Sequence, residues 1–230
     1  HPWFANLNDV LLPGMNELTI VLRSPIKEVL PLMESLSHTL PAVNDQAGKT
    51  SPFTRKAPYH YGWDWGPCFV TSGIWKNVEI FAWDDWQLAD ISITNNKVNE
   101  SIAELNVSAN LFSNIQENGK IVITESKTGK SIEYPIQIME GHNELEYSFT
   151  IDDPELWWPA GHGDQPLYDF TVLLLLSGHE QIIKKRIGIR EVSIKREKDE
   201  KGESFEIHVN GTPIFAKGAN WIPADSFVER

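Results

Sequence analysis

Between Ala103 and Leu111 the chain alternates: Ala103, Leu105, Val107, Ala109 and Leu111 are apolar, with Glu104, Asn106, Ser108 and Asn110 between them. A period of two sends successive side chains to opposite faces, so this stretch predicts a strand with one buried and one wet face. Short strands separated by turns continue from Trp86 to about Lys195. Lys127-Thr128-Gly129-Lys130 and Glu140-Gly141-His142-Asn143 carry turn chemistry, and Ser177-Gly178-His179 joins residues 167–176 and 181–187 into a late hairpin. Some seven strands in about a hundred residues predict an immunoglobulin-like sandwich, here without its disulfide.

The pattern before Trp86 is different. Leu12-Pro13-Gly14-Met15-Asn16 is a turn, and residues 17–23 follow as a β-branched and apolar strand. After Ser24-Pro25 the period changes: Ile26, Val29, Leu30, Met33 and Leu36 recur at steps of three and four, which predicts a short amphipathic helix. Residues 44–54 are polar and punctuated by glycine and proline. A loop of that length inside a domain is usually functional or mobile, and this one delivers the chain to the run Gly62-Trp63-Asp64-Trp65-Gly66-Pro67. Residues 74–83 are expected to close the fold as a strand, with a boundary at Asp84-Asp85. Beyond Arg196, residues 198–203 form a charged turn, and Asn210-Gly211 between residues 205–209 and 212–216 is a strong hairpin signal.

At 230 residues the chain is long enough for two ordinary domains. Its net charge of −12 argues against nucleic acid, and no apolar run approaches membrane-spanning length. The single cysteine, Cys68, rules out an internal disulfide and reads as a structural thiol. The seven histidines show no metal-ligand spacing, and no phosphate loop or nucleophile elbow is present. His1-Pro2-Trp3 opens on folded-looking sequence, without a signal peptide.

The run Tyr61-Gly62-Trp63-Asp64-Trp65-Gly66-Pro67 places one carboxylate between two indoles. Pyranose rings suit such a site, because their C–H faces stack on indole while their hydroxyls donate to a carboxylate. The flanking glycines permit a sharp turn and a close backbone approach. The competing reading is a turn whose two rings fill a sandwich core, with Asp64 capping its own backbone.

The continuation of that run from Cys68 through Ile74-Trp75-Lys76-Asn77-Val78 to Phe81 resembles the end of the N-terminal sugar-binding domain of β-mannosidases in glycoside hydrolase family 2. Leu156-Trp157-Trp158-Pro159-Ala160-Gly161 with Gln165-Pro166-Leu167-Tyr168 is similar to that family's second, immunoglobulin-like domain. Val209-Asn210-Gly211-Thr212-Pro213-Ile214-Phe215 and Lys217-Gly218-Ala219-Asn220-Trp221-Ile222-Pro223-Ala224-Asp225 resemble the start of its catalytic barrel.

The resemblance implies an all-β chain in three parts. Residues 1–85 would be the C-terminal part of a jelly-roll β-sandwich, 86–195 an immunoglobulin-like β-sandwich, and 196–230 the first strand of a (β/α)₈ barrel. It implies that the chain begins inside the first domain. The function implied is that of the non-catalytic N-terminal portion of a retaining exo-β-mannosidase, which releases terminal non-reducing β-D-mannose from oligosaccharides without cofactor or metal. Retaining hydrolysis uses two carboxyl groups about 5–5.5 Å apart. Both catalytic glutamates are expected beyond Arg230, so this chain alone is expected to be inactive.

The resemblance assigns Asp64 to the hydroxyls of the terminal sugar. Of Trp63 and Trp65, one packs inward and the other walls the pocket, and either assignment stands. Asn220 and Trp221, at the end of a barrel strand, line the pocket or fill the barrel core. Trp157 and Trp158 read as core, and Arg190 as an interdomain salt-bridge residue. Three sequons occur, at Asn99, Asn106 and Asn210, and those at Asn106 and Asn210, on a strand and in a tight hairpin turn, read as chance. They favour a periplasmic or otherwise extracytoplasmic bacterial location over a lysosomal one. Two rivals remain: another family 2 specificity (β-glucuronidase, β-galactosidase or exo-glucosaminidase), and a stand-alone carbohydrate-binding module.

Overall fold

Strands dominate the regular structure of this chain, whose computed structural model describes residues 3–63 and 65–227. Two units are distinguished by their internal contacts: His1–Glu79 with Asn220–Arg230, and Ile80–Ala219. The second unit holds β1 Trp86–Val98, β2 Ile102–Ser113, β3 Glu117–Glu125, β4 Ser131–Ile138, β5 Gly141–Asp152, β6 Tyr168–Leu176 and β7 His179–Ile187. These make two antiparallel sheets, β1-β2-β5 and β4-β3-β6-β7. The plan is immunoglobulin-like, with β4 paired to β3 rather than placed at the edge of the first sheet. The all-β expectation holds.

The alternation in β2 explains the core directly. Ala103, Leu105, Val107, Ala109 and Leu111 are all at 1% exposure or less. They meet Tyr168, Phe170, Val172, Leu174 and Leu176 of β6 within a single apolar cluster that spans both sheets. Phe149 of β5 and Phe170 of β6 pack edge to face, ring centres 5.3 Å apart. Truncating a buried leucine such as Leu111 or Leu174 to alanine therefore costs about 2–5 kcal/mol. The connection from β5 to β6 is anchored by the Tyr168 hydroxyl, which accepts from Glu155 N at 2.8 Å, the tyrosine corner of such sandwiches.

A smaller sheet, β10-β9-β8, completes this unit from β8 Val192–Lys195, β9 Glu206–Val209 and β10 Thr212–Ile214. Val209 pairs with Thr212, so Asn210 and Gly211 form a two-residue hairpin turn. Their φ values of 50° and 77° are both left-handed, which asparagine and glycine tolerate better than other residues. The expected hairpin is present.

In the first unit, α1 Pro25–Ser35 begins where the sequence placed it. Ser24 caps it by accepting from Lys27 N, and Pro25 opens its first turn, where a missing N–H costs nothing. Ile26, Val29, Leu30 and Met33 share the half-buried face. The turn at residues 12–16 is likewise present, closed by the Asn16 amide on Leu12.

Other expectations do not hold at the level of elements. Residues 17–23 and 74–83 belong to no ladder, and Leu18, Ile20, Val21, Leu22, Ile74, Val78, Ile80 and Phe81 are exposed. Residues 217–225, expected as the first barrel strand, are also outside any strand. The reason is common to all three. Strand propensity expresses a fit to a paired, half-buried surface, and without a hydrogen-bonded neighbour it does not make a strand.

Candidate functional site

The polar loop before the aromatic turn is built around one buried carboxylate. Asp45 is 5% exposed, and its two oxygens accept from Ala47 N at 2.7 Å and Ser51 N at 2.8 Å. Those bonds curl the chain so that Thr50 is buried beneath it, its hydroxyl donating to Ala47 O. The chain then makes two short 3₁₀ turns, Ser51–Phe53 and Pro58–His60, and reaches the fully buried Tyr61. The Tyr61 and Thr54 hydroxyls are hydrogen-bonded to one another. Burial pushes the Tyr61 phenol above its ordinary pKa, and the Asp45 and Cys68 charges add to the rise against the opposing Thr54 hydrogen bond.

Tyr61 is the hinge between loop and turn. Its carbonyl accepts from Gln46 N at 2.7 Å, and it pairs with Cys68 in an isolated antiparallel bridge. One residue outside that bridge Phe69 N donates to His60 O, and two residues inside it Trp63 N donates to Gly66 O at 3.2 Å. The result is a short hairpin-like excursion held on both arms. Gly62 adopts φ 99°, a conformation that favours glycine, and a Cβ there would lie 2.8 Å from Gln46 Cδ and would displace that side chain.

The sequence-predicted site residues fall as follows. Trp63 and Trp65 lie on the same turn, Trp63 half-buried and Trp65 43% exposed. Asp64 lies outside the described residues. Asn220 is exposed and Trp221 is 85% exposed. Both fall in the same unit as the turn, and Phe227 of that segment stacks on Phe69 at 5.7 Å. Among the described residues, no hydrogen bond or ring contact joins Asn220 or Trp221 to Trp63 or Trp65. Two surface grooves lie on the second unit, one lined in part by Lys120, Glu133 and Pro135, the other by Asn95, Asn106 and Glu146, and neither includes a turn residue.

Trp157 and Trp158 are structural. Each ring lies against a glycine, Trp157 on Gly188 and Trp158 on Gly163, at spacings that would put an added Cβ 2.9 Å away. Arg190 is corrected from the expected interdomain salt bridge. Its guanidinium sits 4.6 Å from the centre of the Trp157 ring and donates to Gly188 O, and it forms no ion pair among the described residues. A planar guanidinium stacks on an indole face, and that contact satisfies it within the second unit. Sequence reasoning missed Asp45, Gln46 and Tyr61 as supports of the turn. The only available signal was the unusual length of the polar loop that carries the first two.

Comparison with known proteins gives these residues a setting. The sequence profile described as "Glycosyl hydrolase 2 galactose-binding domain-like" matches residues 1–76, and that described as "Glycosyl hydrolases family 2" matches residues 82–190. Beta-mannosidase B of Emericella nidulans is 36% identical over 184 residues, 76% of this chain and 21% of that protein. Beta-mannosidase of Bos taurus is 34% identical over 187 residues, 77% of this chain and 21% of that protein. The crystal structure of beta-D-mannosidase from Dictyoglomus thermophilum superimposes with a TM-score of 0.82 at 34% identity, covering 90% of this chain and 26% of that one. The chain thus spans about a fifth of the length of the curated relatives it matches. With both of its matched regions drawn from one family, the chain belongs to glycosyl hydrolase family 2.

Proposed function

We propose that this chain is the non-catalytic N-terminal portion of a retaining exo-β-mannosidase, the parent protein releasing terminal β-D-mannose from oligosaccharides. The observation that supports this most directly is the likeness to the Dictyoglomus thermophilum beta-D-mannosidase, which extends over nine-tenths of the chain. The relatives from Emericella nidulans and Bos taurus are also named as beta-mannosidases. In this reading the chain runs through three parts: a jelly-roll portion at 1–85, the immunoglobulin-like sandwich at 86–195, and the start of the catalytic barrel at 196–230. The two catalytic carboxylates belong to the remainder of the barrel.

The role of the turn follows from its chemistry. Trp65, exposed at the turn, offers an indole face to the C–H side of a sugar ring, while Trp63 anchors the turn from below. Asp64 accepts hydrogen bonds from hydroxyls of the terminal sugar, and a charged acceptor orients the ring without reacting with it. Asn220 and Trp221 complete the lining of the same sugar subsite.

The test is kinetic. The longer protein carrying this chain is assayed on aryl β-mannosides beside the matching β-glucosides, β-galactosides, β-glucuronides and β-glucosaminides. The β-mannoside is expected to have the highest kcat/KM, and Asp64→Asn to lower that value by about ten- to a hundred-fold, the cost of one charged hydrogen bond. Preference for another glycoside would replace the mannosidase reading. Unchanged kcat/KM in Asp64→Asn would remove Asp64 from the sugar site.

A further inference from the structure

We propose that Gln46 is a positioning residue for the aromatic turn, setting the angle at which Trp63 and Trp65 meet the sugar. This rests on the reading of the turn as a sugar-contacting element. Gln46 touches the turn at three consecutive residues. Its backbone N–H donates to Tyr61 O at 2.7 Å, its side chain occupies the space a Cβ on Gly62 would need, and its Nε2 donates to Trp63 O at 3.4 Å. The last contact is long, so the restraint comes from the side chain lying beside Gly62 together with this bond.

Gln46 is itself held. Asp45, its neighbour, is fixed by the amides of Ala47 and Ser51, so the backbone on both sides of Gln46 is tied down. Gly62, at the base of the first arm, has no side chain to restrict its rotation and sits at φ 99°. A side chain laid across it removes that freedom. The Gln46 stem therefore acts as a stop beside the first arm of the turn, the arm that carries Trp63. Nothing in this arrangement gives Gln46 contact with the reacting atoms. Its effect is on how well the sugar is held.

The experiment compares Gln46→Ala, Gln46→Met and Trp65→Ala in the longer protein carrying this chain, with KM and kcat on an aryl β-mannoside and Tm measured on the same preparations. Gln46→Ala is expected to raise KM about five- to ten-fold with kcat within about two-fold, the pattern of lost uniform binding. Gln46→Met keeps the stem over Gly62 and is expected to recover most of that loss, at an unchanged Tm. A purely structural role would lower Tm without moving KM, and that result overturns the proposal, as does a KM rise that methionine fails to rescue. Trp65→Ala separates this inference from the one beneath it. If Trp65→Ala raises KM and Gln46→Ala does not, the positioning role alone is overturned; if Trp65→Ala is silent, the sugar-contact reading falls and takes this one with it. Should Gln46→Ala yield no folded protein, Gln46→Asn, one methylene shorter, carries the comparison, and a normal KM there overturns the proposal.

Discussion

Asn210 donates from Nδ2 to the backbone carbonyl of Trp157 at 3.1 Å, joining residues far apart in sequence. Its Oδ1 accepts from Glu191 N and its own N–H donates to Glu191 O, both at 3.0 Å. One turn residue therefore ties the small β8–β10 sheet to the corner of the sandwich that carries Trp157, beneath the Arg190 guanidinium. Asn210→Gly keeps the left-handed backbone and removes two side-chain bonds, so it should destabilise the second unit by about 1–3 kcal/mol. Asn210→Ala should cost about 1–2 kcal/mol more, because alanine disfavours positive φ. Urea unfolding of the three proteins measures both steps. A Gly variant as stable as the parent would mean that the bracket holds nothing. The same geometry bears on modification: an N-linked glycan on Asn210 requires the nitrogen that Trp157 already uses.

Gln181 of β7 performs a comparable service at the edge of the sandwich. Its Oε1 accepts from Leu88 N at 2.8 Å and its Nε2 donates to Trp86 O at 3.2 Å. A side-chain amide thus stands in for a neighbouring strand on the outer edge of β1, next to the register shift at Leu88/Asp90. Unpaired edges invite pairing with other chains. Gln181→Ala is expected to cost about 1–2 kcal/mol, and Gln181→Glu at least as much, since its carboxylate faces the Trp86 carbonyl without a donor. Light scattering at elevated concentration should show more self-association in both variants. If Gln181→Glu matches the parent in stability and solubility, the capping of this edge has no consequence.

Alternation was the most legible feature of the sequence, because a strict period of two has one physical outcome when a partner sheet covers the apolar face. β2 followed from it, while the late hairpin and the Asn210-Gly211 turn followed from turn chemistry at Ser177-Gly178-His179 and at Asn-Gly. The helix after Ser24 was equally legible, since its cap, its Pro25 and its periodicity agree. Residues 17–23 show where the method ends. Their composition suits a strand, but pairing is a long-range property and no local pattern supplies the partner. At the candidate site the aromatic turn stood out by composition alone. Gln46 did not, because its importance comes from resting on Gly62, and contact between residues 46 and 62 leaves no local mark. Arg190 was misread for a related reason: an arginine near a domain boundary suggests a carboxylate partner, and the indole it stacks on lies 33 positions earlier in the chain.

The two units should not melt together. Among the described residues, Tyr61 is the only fully covered apolar side chain of the first unit, whereas the second holds the apolar cluster from Trp86 to Ile189. In the first unit Leu18, Val21, Ile74 and Val78 are more than half exposed. Exposed apolar surface of this kind contributes nothing to stability and favours association. Calorimetry of the 230-residue chain is expected to give two transitions, the immunoglobulin-like sandwich melting last, with dye binding to the first unit already at low temperature. One reversible transition with a calorimetric enthalpy matching the van't Hoff value would contradict this.

Alkaline pH should act on the first unit through Tyr61. Its folded pKa lies above that of an ordinary tyrosine because burial penalises the phenolate. The sign follows from proton counting. Below the unfolded pKa both states carry the proton and stability is constant. Above it the unfolded chain releases the proton while the folded one keeps it, so stability is present below about pH 10 and falls as pH rises toward the folded value. Tyr147 in the second unit is shifted the same way, by burial first and the neighbouring Tyr134 second, so it contributes a parallel loss there. Tyr61→Phe removes the first contribution alone, although it also gives up the hydrogen bond to Thr54. It should therefore be less stable than the parent at pH 8 and lose less further stability between pH 9 and 11. Following unfolding of the first unit by tryptophan fluorescence across that range decides the matter. A parent and a Tyr61→Phe variant that weaken in parallel with pH would show that the buried phenol is not the group responsible.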